Sequence, residues 1–135
     1  MIKKYYALIM LLVTLCACSS NSAPPEEAAY NLRYEFYSDK NYQYIYRLIL
    51  NTADSCTKQG FISKSFAEGQ YYTDIKAADV VIALHAPFGK YPHIRVKIET
   101  ENDKTKIVVT NDYEAWDELA IVIEDWVVNE TTFCR

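Results

Sequence analysis

The chain has 135 residues, half of them apolar, with 14 basic residues against 18 acidic ones and a net charge of −4. That is one domain's worth of sequence, with enough apolar content to form a core without a metal or cofactor. The acidic balance argues against general nucleic-acid binding and gives no reason for broad adhesion to anionic lipid, since both rest on basic surface.

The first twenty residues differ from the rest. Met1-Ile2-Lys3-Lys4 is a charged start, Tyr5 to Leu15 is an apolar run too short to span a bilayer, and Cys16-Ala17-Cys18-Ser19-Ser20 follows. This is the pattern of a secretory signal that is removed, not of a transmembrane helix. Leu15-Cys16-Ala17-Cys18 resembles the lipobox of bacterial lipoproteins. The resemblance implies cleavage before Cys18 and acylation of that cysteine with fatty chains such as palmitate. The family pattern wants a small residue before the modified cysteine; Ala17 precedes Cys18, whereas bulky Leu15 precedes Cys16. In Gram-negative lipoproteins an Asp after the cysteine tends to retain the protein in the inner membrane. Ser19 stands there, so the resemblance favours the outer membrane, facing the periplasm. Each buried methylene contributes roughly 0.8 kcal/mol and one acyl chain binds only marginally, so the several chains of the family's cysteine make attachment effectively permanent. Loss of residues 1–17 removes Lys3 and Lys4 and makes the net charge about −6.

After the lipidated cysteine, the rest of 18–29 is small, polar and proline-bearing and reads as a flexible tether with a reach on the order of 20 Å. A single domain is expected over 30–135. Leu32, Tyr34 and Phe36 alternate with Arg33 and Glu35, predicting a first strand over 31–37. Ser38 or Asp39 can cap a following helix whose apolar face is Tyr42, Ile45, Tyr46, Ile49, Ala53 and Cys56, with Gly60 as its stop. Phe61 to Phe66 is a candidate second strand, and 68–76 is polar and ambiguous. Val80, Ile82 and Leu84 alternate, as do Ile94, Val96 and Ile98, and Ile107 with Val109. A hairpin with His85 opposite His93 places Leu84 against Ile94 and Val80 against Ile98. A second, with Thr100 opposite Thr105, places Ile98 against Ile107, Val96 against Val109 and Glu99 against Lys106. The last segment, 113–128, predicts a helix with Asn111 as cap, Glu114 in a capping box, and Trp116, Leu119, Ala120, Ile123 and Val127 as its apolar face. The order β-α-β-β-β-α, with one apolar stripe per helix, defines an α+β two-layer sandwich: a mostly antiparallel sheet with both helices on one face. Ala78-Asp79-Val80-Val81-Ile82 also resembles a strand of small envelope lipoproteins; the likeness covers that strand alone and carries no function.

With Cys16 removed and Cys18 acylated, Cys56 and Cys134 are the remaining thiols. An exported chain meets an oxidising compartment, so a disulfide between them is expected. Two isolated thiols make a poor zinc site, and a redox-active pair would be close in sequence.

Candidate sites lie on the sheet face away from the helices. The assumed register makes His85 and His93 neighbours, a weak metal or coupled-titration candidate without a third ligand. Arg95, Lys97 and Lys106 project beside them as a basic strip for an acidic partner, a phosphate-bearing glycolipid or an envelope complex. Twelve tyrosines, many in the first third, suit glycan stacking but equally suit strands. There is no GxSxG elbow, P-loop or HExxH, and acidic pairs such as Asp117-Glu118 diverge around a helix. The expectation is a non-enzymatic, membrane-anchored envelope lipoprotein that binds or assists assembly, with a protein or polymer of the envelope as partner, no cofactor and no nucleic acid. The alternatives are a small-ligand or metal-binding periplasmic module, or an immunity or inhibitor protein against an envelope toxin.

Overall fold

The computed structural model describes residues 30–58 and 65–134. In chain order these form β1 (Leu32–Ser38), α1 (Tyr42–Lys58), β2 (Ser65–Tyr72), β3 (Ala77–Ala86), β4 (Gly89–Glu101), β5 (Lys104–Asn111), a short 3-10 turn (Glu114–Trp116) and α2 (Asp117–Val128). The strands make one antiparallel sheet in the order β1-β5-β4-β3-β2. Both helices pack on one side of it, giving the expected α+β layers.

The core forms where the alternating strand residues meet the helical stripes. Ile45, Ile49 and Ala53 of α1, Val80 and Ile82 of β3, Ile94, Val96 and Ile98 of β4, Ile107 and Val109 of β5, and Ile123 of α2 are all fully buried. Trp126 is the largest side chain in the core, a position the helical reading of 113–128 did not single out. Its indole Nε1 donates to the Phe133 carbonyl at 2.6 Å. That bond satisfies a group which would otherwise be costly to bury.

The start of α1 corrects the expected cap. Ser38 Oγ accepts from the Lys40 backbone N–H at 3.2 Å and so shapes the approach turn, while Asn41 Oδ1 accepts from Gln43 N–H at 2.8 Å and caps the helix. Asp39 instead pairs with Lys104 at 3.3 Å. The expected helix stop at Gly60 lies outside the described residues, as do 61–64 of the expected second strand. The described strand, β2, runs later, through the polar stretch left ambiguous. It is an edge strand: Glu68 and Gln70 face away from the helices, and Gly69 lies under the Tyr46 ring of α1.

The two hairpins differ in how they match the pattern. β4 and β5 pair as expected, Ile98 with Ile107, Val96 with Val109, Glu99 with Lys106 and Thr100 with Thr105. Their two-residue turn holds Asn102 and Asp103 at φ 49° and 62°, the left-handed pair that matches strand twist. β3 and β4 are shifted by two residues from the expected register: Ile82 faces Ile94, Val80 faces Val96 and Ala78 faces Ile98. A tight turn closes Ala86 onto Gly89, whose φ of 150° suits glycine, and beyond a register break at Ile82/Ala83 the shift is three residues.

Asn111 organises the start of the last helix without being its N-cap. It is fully buried; its side-chain amide donates to the Tyr113 carbonyl and to Asp117 Oδ1, each at 2.7 Å, and its Oδ1 accepts from Tyr113 N–H at 3.3 Å. Glu114 begins the 3-10 turn and closes no capping box with Asn111, because α2 itself starts at Asp117.

Candidate functional site

Among the described residues, one face of the sheet carries no helix. The antiparallel register sets its outward residues in cross-strand rows: Arg33, Thr110, Arg95, Val81 and Glu68; then Glu35, Val108, Lys97, Asp79 and Gln70; then Tyr37, Lys106, Glu99, Ala77 and Tyr72. The middle of this face is an open hollow of about 710 Å³ floored by Val81, Val108 and Thr110.

The structure brings Arg95, Lys97 and Lys106 together in that hollow, and adds Arg33. It does not leave the three as a bare basic strip. Arg95 Nη1 donates to Asp112 Oδ2 at 2.8 Å, Lys97 pairs with Glu99 at 2.5 Å, and Lys106 pairs with Glu35 at 3.3 Å and Glu101 at 3.9 Å. The Glu99 hydrogen bond holds Lys97 above the usual lysine range, and Glu35 does the same for Lys106. The face is therefore a lattice of alternating charge, and Lys97 and Lys106 stay charged across physiological pH. Exposed pairs of this kind contribute little to stability, but their pattern discriminates between partners. Among the described residues Arg33 has no carboxylate within ion-pair distance. Sequence reasoning missed it because only the pairing of β1 with β5 puts it in the same cross-strand row as Arg95, with Thr110 between them.

His85 and His93 are not brought together. His85 is exposed, pairs across the hairpin with Lys90 and packs its ring on Phe66 at 4.6 Å. His93 falls at the register break and has no β3 partner; its ring is buried between Trp116, stacked at 4.3 Å, and Tyr113, edge-on at 4.6 Å. At His85 the register is three residues away from the assumed one, and this removes the metal candidate's geometry.

The tyrosines of the first third act as ties. Tyr34 donates to the Ala120 carbonyl of α2 and Tyr30 to Asp117; Tyr37 donates to Glu101 at 2.9 Å and Tyr44 to Glu130 at 2.8 Å. Tyr46 stacks on Tyr71 at 5.5 Å. Burial pushes the Tyr34 phenol well above its usual range, and the Asp117 hydrogen bond raises Tyr30 to about 12. These rings face several directions and form no single stacking platform.

Cys56, at the end of α1, is bonded to Cys134 in the tail after α2, with 5.3 Å between the Cα atoms. Among the described residues no group of three His, Cys, Asp or Glu side chains gathers in a way that could hold a metal ion, and no helix is long and apolar enough to cross a membrane.

No family model and no curated protein matches this chain. Among solved structures, the crystal structure of Ara h 8.0201 is similar over 74% of this chain and 98% of that chain, at 14% identity and a TM-score of 0.36. A likeness of that size carries no inference about function.

Proposed function

We propose that the chain is a lipoprotein of the cell envelope, anchored through acylated Cys18 at the periplasmic face of the outer membrane, and that it works by binding a protein or polymer of the envelope rather than by catalysis. The observation that carries the binding part is the uncovered sheet face, where alternating charges surround a shallow apolar floor on a rigid five-stranded frame. Charged groups set on strands are held in fixed register, so a partner of complementary pattern is selected and mismatched ones are repelled. The anchor part rests on the charged leader, the short apolar run and Leu15-Cys16-Ala17-Cys18. The test is cross-linking in the native envelope. The double variant Arg95→Glu with Lys97→Glu should lose its cross-linked partner about tenfold while staying in the membrane fraction, and Cys18→Ser should move the protein to the soluble fraction. Undiminished cross-linking in the double variant would exclude the sheet face.

A further inference from the structure

α2 carries apolar side chains on its outer side as well as its inner one, set among the carboxylates Asp117, Glu118, Glu124 and Asp125. Leu119, Ala120, Ile123, Trp126 and Val127 are buried against the sheet and α1, yet Ile121 and Val128 on the outer side are 60% and 58% exposed. Clustered exposed apolar residues on the otherwise polar side of a helix mark interaction surfaces. Glu118, Ile121, Val122 and Asp125 follow one another at helical spacing, so they form a single outer stripe with a carboxylate on each side of the apolar pair. Phe133, itself 63% exposed, comes back from the tail to wall a hollow of about 560 Å³ over that stripe.

The wall is held in place. The Phe133 carbonyl accepts from Trp126, Thr131 Oγ1 donates to Asp125 Oδ2 at 2.7 Å, and the next residue, Cys134, is bonded to Cys56. A groove fixed before binding loses little entropy when it is filled.

We propose that this groove docks an amphipathic helix of a partner protein whose apolar stripe is flanked by Lys or Arg. The charge pattern selects that occupant. From Asp112 to Arg135 the chain has seven carboxylates against one basic residue, Arg135, and of the seven Asp112 is paired with Arg95 and Glu130 with Lys40. Among the described residues neither Glu118 nor Asp125 has a cationic partner; Asp125 is held ionised by hydrogen bonds from Asn129 and Thr131. A second copy meeting this face two-fold would set carboxylates against carboxylates, and an anionic lipid surface would be repelled. A helix lies in such a groove through side chains alone, as the helix-in-groove mode requires. The surface lies on the helix layer, away from the sheet's open face, so the module would hold two partners at once.

The experiment is a titration of the 15N-labelled, oxidised full chain with a synthetic 14-residue leucine–lysine amphipathic helix, and with the same peptide carrying glutamate for lysine. Shifts confined to residues 118–133 with the lysine peptide and none with the glutamate peptide are expected. Ile121→Lys and Phe133→Ala, both at exposed side chains, should each weaken binding about tenfold. Glu118→Lys should weaken it several-fold and flatten its salt dependence. The Arg95→Glu, Lys97→Glu double variant should bind the lysine peptide as tightly as wild type, which separates this proposal from the sheet-face reading. Equal binding of the glutamate peptide, undiminished binding by Ile121→Lys, or shifts spread over the sheet face would overturn it. So would burial of α2 by self-association in sedimentation, or binding to phosphatidylglycerol vesicles through these residues.

Discussion

Neither ring nitrogen of His93 has a hydrogen-bond partner among the described residues, although both are buried. Burial pushes this imidazole below the usual histidine range, and the nearby Asp112 carboxylate offsets that only in part. The folded protein therefore resists a proton that the unfolded chain accepts near pH 6.5. Below that pH the unfolded state binds more protons, so stability should fall as pH drops from about 7 towards the lowered folded value. Urea unfolding at a series of pH values measures this. His93→Phe, which keeps a ring against Trp116 and removes the unpartnered nitrogens, should lose that part of the slope and be no less stable at pH 7.5. The fall below pH 4 should persist in the variant, because Asp125 and Glu130 are held below the usual carboxylate range by Asn129 and Lys40 respectively and lose that benefit only when protonated. A variant with the wild-type slope between pH 7 and 5.5 would remove His93 from the account.

At the scale of elements, the packing of β2 under α1 depends on one missing side chain. A β-carbon added at Gly69 would lie 2.5 Å from Tyr46 Oη and 2.7 Å from its ring. Gly69→Ala should destabilise by about 1–3 kcal/mol through overpacking, and Tyr46→Leu in the same chain should recover most of the loss; a double-mutant cycle in urea gives the coupling. The strand itself was not legible because an edge strand with one wet face looks polar. Elsewhere alternation identified the faces of β3, β4 and β5 correctly, and the β4–β5 register followed from a two-residue turn and opposite charges. The β3–β4 register did not. A pattern of period two is unchanged by a shift of two, so apolar residues still met apolar ones in the wrong pairing. The turn at Pro87-Phe88 and Gly89 decided it, and the register break it required moved His93 from the open face into the aromatic pocket.

For the whole molecule, the fastenings run between the first half of the chain and its last quarter. Lys40 donates to the Val127 carbonyl at the end of α2 and to Glu130, Thr105 Oγ1 donates to the Lys40 carbonyl at 2.7 Å, and the disulfide spans 78 residues. By the loop-entropy argument that cross-link contributes about 4–5 kcal/mol, a large share of a typical domain's stability. Cys134→Ser should lower stability by roughly that amount, read as a shift of the urea midpoint at unchanged fold by circular dichroism; a loss under about 1 kcal/mol would show that the other ties suffice. The sequence by itself determined β1, α1, the alternating strands β3 to β5 and the last helix, though neither β2 nor the 3-10 turn before that helix, and it placed both helices on one side of the sheet, because period and spacing are local properties of the chain. Only the tertiary structure decided that β1 lies against β5, that Arg33 thereby joins Arg95 in the hollow, that each expected cation of the strip has a carboxylate, and that Phe133 walls a groove over α2. Those arrangements come from which distant segments close on one another, and such closure is settled by the summed packing of the whole core, which leaves no periodic trace along the chain.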